Sequence, residues 1–224
     1  LPDGRVVIVS MQDRKLMQVA KDGAQSLYCD LSDMVSHDIN DCVCDASGNI
    51  YVGNFGYDLL AGEAPKTADL IMVSMSGQRT VVASGLEFPN GAVITPDGGT
   101  LIIAETFGNK LTAFDRAADG RLSNRRVWAS LGERTPDGIC LDAEGAVWVA
   151  SFMTGEFVRV CADGSVSDVI ATPGKRAVAC NLGGADGRTF FGLTFAGELA
   201  DLGSGKALAA VEVCRVDVAA AGSP

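Results

Sequence analysis

The chain has 224 residues, 47% apolar and 6% aromatic, and its 28 acidic and 18 basic side chains give a formal charge of −10 with a single histidine. A domain of this length buries roughly 70% of its unfolded surface without disulfide staples, and a net charge of this sign repels phosphate backbones, which excludes a general nucleic-acid binder. No apolar run approaches the ~20 residues of a membrane helix, and the opening Leu1-Pro-Asp-Gly4 has neither the basic nor the apolar part of a signal peptide.

Taken in chain order, one phrase recurs: an acidic turn closed by glycine, then a short apolar run. It reads Pro2-Asp-Gly-Arg-Val-Val-Ile-Val9, Asp45-Ala-Ser-Gly-Asn-Ile-Tyr-Val52, Pro96-Asp-Gly-Gly-Thr-Leu-Ile-Ile103, Asp142-Ala-Glu-Gly-Ala-Val-Trp-Val149 and Ala185-Asp-Gly-Arg-Thr-Phe-Phe191. The anchor glycines Gly4, Gly48, Gly98, Gly145 and Gly187 stand 44, 50, 47 and 42 residues apart. Further strand-like runs follow each of the first four copies: 15–20 and 24–29, then 70–73 and 80–83, then 110–114 and 126–129, then 157–160 and 166–170. They are rich in β-branched residues and bounded by Gly, Asp, Asn and Ser. Four strands per 40–50 residues is the signature of a propeller blade. The expectation is an all-β chain in one domain, residues 1–224, forming five blades of a six-bladed β-propeller. The first blade would be missing upstream, because the first copy lacks the inner strand that should precede it. A closed five-bladed ring is the alternative.

The seven cysteines sit in or beside apolar segments without metal-ligand spacing. They are expected to be core thiols of a cytoplasmic, reducing compartment. Gly203-Ser-Gly-Lys206 lacks the rest of a phosphate loop and reads as a hairpin turn. The segment from Gly53 to Lys66 is long for a blade turn and reads as either a lid or a plain surface loop.

Eight residues before the anchor glycines stand Asn40, Asn90 and Asp137, with Ala179 at the same count in the last copy, where Gly183-Gly184 blurs the register. These positions fall just before the innermost strand of successive blades, and such positions converge on one mouth of the channel. Three oxygen donors meeting there suit a hard divalent cation; the competing assignment is turn capping. Asp137 is the one carboxylate among them. His37, Asp38 and Asp41 flank Asn40 and are candidate substrate contacts, as is Glu105, at the end of an apolar strand, if it faces the channel.

Four stretches are similar to one known family: Asn40-Asp41 followed by Asp45 to Gly56, Phe88-Pro-Asn-Gly91 with Ala104-Glu-Thr106, the run from Pro136 to Ala150, and Val213-Cys-Arg-Val-Asp-Val218. Over nearly its whole length the chain resembles the senescence marker protein (regucalcin), gluconolactonase and luciferin-regenerating enzyme family of six-bladed propellers. The resemblance implies one divalent metal (Ca²⁺, Zn²⁺, Mn²⁺ or Mg²⁺) held by a Glu, an Asn and an Asp. Asn90 and Asp137 match the last two, Asn40 matches an Asn facing metal and substrate, and the Glu would lie in a blade upstream of Leu1. Two residues before Asn40 many relatives carry a substrate-gripping Arg, and Asp38 stands there instead, which disfavours strongly anionic substrates.

The chemistry expected is opening of a sugar lactone by a metal-polarised carbonyl and a water activated by Asp137. No G-x-S-x-G elbow is present, and a nucleophilic triad would depend on His37 alone. The alternative is a non-catalytic propeller that binds a protein or small molecule around a structural Ca²⁺.

Overall fold

The computed structural model describes residues 1–201 and 205–222. Gly203 and Ser204 of the Gly203–Lys206 turn lie outside the described residues. Strands arrange in five antiparallel sheets that succeed one another along the chain. The first holds β1 (Val6–Ser10), β2 (Lys15–Val19) and β3 (Gln25–Asp30). The second holds β4 (Ile39–Cys44), β5 (Ile50–Asn54), β6 (Ala68–Val73) and β7 (Arg79–Leu86). The third holds β8 (Pro89–Ile94), β9 (Thr100–Glu105), β10 (Lys110–Arg116) and β11 (Leu122–Ser130). The fourth holds β12 (Pro136–Leu141), β13 (Val147–Ser151), β14 (Glu156–Val160) and β15 (Val166–Ala171). The fifth holds β16 (Arg176–Gly183), β17 (Thr189–Phe195) and β18 (Ala209–Arg215). No helix among the described residues is long and apolar enough to cross a membrane.

The repeated phrase is the hairpin between the first and second strands of a blade. Its glycines adopt the left-handed region that side chains resist, as at Gly48 (φ 83°) and Gly145 (φ 80°). Asp45 and Asp142 accept the turn's amides, Ser47 N and Asn49 N in one case, Glu144 N and Ala146 N in the other.

Apolar clusters fill the interfaces between successive sheets. Leu16 and Leu31 meet Ile50 and Ile71. Tyr51 and Leu70 meet Leu101 and Phe114. Ile102 and Leu111 meet Val147 and Val158. Trp148 and Phe157 meet Leu182 and Phe190. Burying each such side chain contributes about 1.5–3 kcal/mol, so the sheets are held face to face and the inner strands β4, β8, β12 and β16 line up side by side. This is a five-bladed propeller arrangement. Among the described residues no contact of comparable extent joins the fifth sheet to the first.

All seven cysteines are free. Only Cys29, Cys140 and Cys180 are core thiols; Cys42, Cys44 and Cys161 are half-buried, and Cys214 is exposed because β18 is exposed along its whole length.

Candidate functional site

Asn40, Asn90 and Asp137 lie inside the inner strands, not before them: each is the second residue of β4, β8 or β12. Pairing with the neighbouring strand slips by one residue at that point in every case. Ile39 faces Asn54 but Cys42 faces Val52. Pro89 faces Glu105 but Ala92 faces Ile103. Pro136 faces Ser151 but Ile139 faces Val149. A bulge re-aims the side chain it carries, so the sequence triplets acquire a physical meaning. Proline, with no N–H to give, is accepted at the first position of a strand. The glycine after the donor lets the inner strands touch, since a Cβ on Gly91 would stand 2.7 Å from Asp137 O and one on Gly138 would stand 2.7 Å from Ala179 Cα.

In the fifth sheet the same slip falls between Ala177 and Ala179. The matching residue is therefore Val178, not Ala179. β16 carries one residue more between its bulge and Gly187 than the other inner strands, which displaces the eight-residue count. Three polar donors and one valine occupy the four equivalent positions.

Asp137 feels Asn90 from the third sheet and Asp41 from the second. Burial, then the negative charge of Asp41, push its carboxyl up to about 7, and a hydrogen bond from Asn90 works against that rise. Asp41, exposed on β4 but crowded by neighbouring atoms, is raised by the same loss of hydration, and its carboxylate accepts the N–H of Cys42 (2.8 Å), which closes its own bulge. Neither carboxylate has an ion-pair partner among the described residues. Thr106 sets the orientation of Asn90. Its hydroxyl donates to Pro136 O (2.7 Å) and accepts Asn90 Nδ2 (3.1 Å), which leaves Asn90 Oδ1 free as an acceptor.

Among the described residues no group of three or more His, Cys, Asp or Glu side chains is placed to hold a metal ion by itself. The available set is carboxylate plus amide oxygen, the chemistry of hard cations and not of zinc-type N/S sites. Two neighbouring carboxylates without a basic partner are an electrostatic debt that a divalent cation relieves. The residues present therefore fit such an ion.

Asp38 and His37 line a cleft of about 520 Å³ next to β4. Asp38 O accepts the N–H of Phe55 (2.9 Å), and His37 Nε2 lies 3.3 Å from Glu63 Oε2. The 53–66 segment forms one wall of this cleft and is bonded to itself: Glu63 N donates to Asp58 O (3.0 Å) and Asp58 N to Glu63 Oε2 (2.9 Å).

Glu105 is not a channel residue. It is fully buried within the third sheet, where Oε1 accepts Thr112 Oγ1 (2.5 Å) and pairs with Arg125 (3.0 Å), while Oε2 accepts Glu87 N (2.7 Å) and lies 3.6 Å from Lys110. Side chains alternate across a strand, so Glu105 turns into the blade while the next residue, Thr106, reaches Asn90.

Thr106 is the residue beside the donors that sequence reasoning did not single out. The signal for Thr106 was a hydroxyl directly after Glu105, at the place where the second and fourth sheets have Phe55 and Phe152; all three amides donate to the residue that precedes the inner strand, at Phe88 O, Asp38 O and Thr135 O. Arg176 opens β16, two residues before Val178, and is held by Glu198 (2.7 Å) and by the Phe152 ring (5.2 Å). A separate groove of about 340 Å³ on the outer flank, between β15 and the segment 214–218, contains none of these donors.

The family profile described as the SMP-30/Gluconolactonase/LRE-like region matches residues 1–195. Regucalcin of Danio rerio is 28% identical over 153 residues, 66% of this chain and 50% of its own length. A pentonolactonase of Haloferax volcanii is 28% identical over 194 residues, 83% of this chain and 64% of its own length. The chain thus spans less than two thirds of either relative. The solved structure of a calcium-binding regucalcin from Agrobacterium tumefaciens superposes with a TM-score of 0.79 at 22% identity, covering 99% of this chain and 76% of that one.

Proposed function

The chain belongs to the SMP-30/gluconolactonase/LRE-like family, and from that premise we propose that its protein is a lactone hydrolase dependent on a divalent metal, with Asp137, Asn90 and Asn40 as the metal-holding set. The observation that carries this is the position of the three: the second residue of three adjacent inner strands, each beside a bulge, with Asp137 against both Asn90 and Asp41. The lactonase among the relatives and the calcium-binding neighbour of the same fold support it. We further propose that residues 1–224 are part of one propeller whose ring closes through a sixth sheet, because among the described residues the first and fifth sheets make no extensive contact. The seven free thiols favour a reducing compartment.

When bound, the cation polarises a carbonyl and lowers the pKa of water. Asp137 takes the proton from a water as its oxygen adds to the lactone carbon. The ring C–O bond then breaks, and the proton passes to the leaving alkoxide, giving the open hydroxy acid. Asp137 is the carboxylate among the three donors and so the group able to accept a proton; with no ion bound, burial first and then Asp41 raise its carboxyl. Thr106 fixes the Asn90 amide, and Asn40 presents an amide to the substrate.

The test is a pH-indicator assay on aldonolactones with and without chelator. Hydrolysis above the spontaneous rate that chelator abolishes supports the reading. Spontaneous rates throughout, with Ca²⁺ still bound in calorimetry, would replace it by the non-catalytic binding propeller.

A further inference from the structure

We propose that the lactone carries an apolar substituent that seats in the cleft between Phe55 and Leu60, whose lining residue Asp38 lies two residues before Asn40. The chemistry of this inference rests on the lactone-hydrolase reading, but the binding does not. The cleft measures about 520 Å³, within the range of small-molecule sites, and its apolar wall is Phe55, Tyr57, Leu59 and Leu60. Phe55 stacks on Phe88 with centroids 4.4 Å apart, and Tyr57 and Phe107 meet the same ring edge-on at 6.1 and 4.9 Å.

Phe88 directly precedes Pro89-Asn90 and is held at φ +61°, a left-handed backbone that a bulky side chain adopts only at a cost. Its ring is 5% exposed. The chain thus accepts strain at the entry to the donor strand in order to bury this ring under Phe55. The aromatic group therefore links the cleft to the position of Asn90.

The cleft is built, not left open by a loose loop. Beyond the Asp58–Glu63 bonds, Ala61 N donates to Asp58 Oδ1 (2.9 Å) and Phe55 N to Asp38 O. That frame holds Leu60 65% exposed over the cleft, where no described residue covers it. The polar groups around it are Gln12, His37, Asp38 and Asp58, and the histidine is spanned by Glu63. Such walls favour a chain of CH₂ groups and repel a terminal carboxylate or sulfonate.

The experiment uses the full chain and a series of δ-lactones bearing unbranched alkyl groups from methyl to hexyl, a matched member ending in carboxylate, and gluconolactone. Phe55→Ala and Leu60→Ser are tested beside the parent; Leu60 is exposed, so its replacement leaves folding intact. The expected result is a rise of about fourfold in kcat/KM per added methylene until the cleft is filled. The carboxylate-ended member should fall to the level of the methyl compound, and both variants should flatten the slope. Absence of a slope, equal turnover of the carboxylate-ended member, or a slope unchanged in both variants overturns the inference. If no lactone is hydrolysed, calorimetry with the corresponding alkyl tetrahydropyrans decides. Affinity that rises with chain length and is lost in Leu60→Ser upholds the inference while the lactonase reading fails; affinity independent of chain length overturns it.

Discussion

Each inner strand and the strand beside it place a residue at matching register, next to the bulge. On the second strands these are Asn54, Glu105, Ser151 and Thr194, all buried and all polar. Each is satisfied by its own blade: Asn54 gives its amide to Asp69 O (2.7 Å), Ser151 accepts Thr135 N (3.2 Å), and Thr194 donates to Glu212 (3.1 Å). One residue further in, Asn40, Asn90 and Asp137 sit on strands whose bulges turn them out of the sheet. Two sets of polar residues thus lie within a strand spacing of each other. One is closed by hydrogen bonds and serves the scaffold. In the other, Asp137 stands beside another carboxylate, and no basic side chain among the described residues pairs with either. The lesson is that polarity near the axis does not mark a site; unmet electrostatic demand does.

The largest expected effect separates the two sets directly. Asp137→Asn should lower kcat on a hydrolysed lactone by about 10²–10⁴-fold, the usual loss for a general base, and weaken divalent-ion affinity in calorimetry, while the fold survives. Glu105→Ala should do the reverse. It strands Arg125 and Thr112, so denaturant melts should show a loss of about 3 kcal/mol, with ion affinity per folded molecule unchanged.

Protonation sharpens the contrast further. The folded Asp137 carboxyl titrates near 7, above the ordinary carboxylate range. The folded state therefore binds more protons than the unfolded chain between about pH 4 and 7. In chelator, stability should fall as pH rises through that window, by on the order of 1 kcal/mol per unit at most. Thermal melts from pH 4.5 to 8 would show it, and Asp137→Asn should reduce the slope to the part that Asp41 contributes. With the ion present the direction inverts, because the ion needs the carboxylate: affinity should weaken below pH 7. A flat Tm profile in chelator would mean that Asp137 is more open to water than its surroundings imply.

The smallest effects concern neutral groups. Asn40→Ala should raise KM about 2- to 10-fold with kcat largely kept, as for loss of a hydrogen bond worth about 0.5–1.5 kcal/mol. Thr106→Val frees the Asn90 amide and should cost a similar amount of ion affinity, with no change in KM once ion is saturating.

The repeat, the strand sequence and the common position of Asn40, Asn90 and Asp137 were legible because they are local: an acidic turn, a left-handed glycine and a short β-branched run recur at nearly constant spacing. The bulges were not legible, since a slipped pair requires the partner strand, and so the donors were expected before their strands and the fifth copy was counted to Ala179 in place of Val178. Glu105 and Asp137 look alike in sequence, each an acid beside an apolar strand. Their fates diverge only because Arg125 and Thr112 close around one, while Asp41, from another sheet, faces the other. The sequence by itself determined which residues form blades and which polar groups share a register. The tertiary structure alone decided which of those groups are satisfied within a blade and which meet, without a basic partner, between blades, because a side chain's electrostatic partners are set by distance in space and not along the chain.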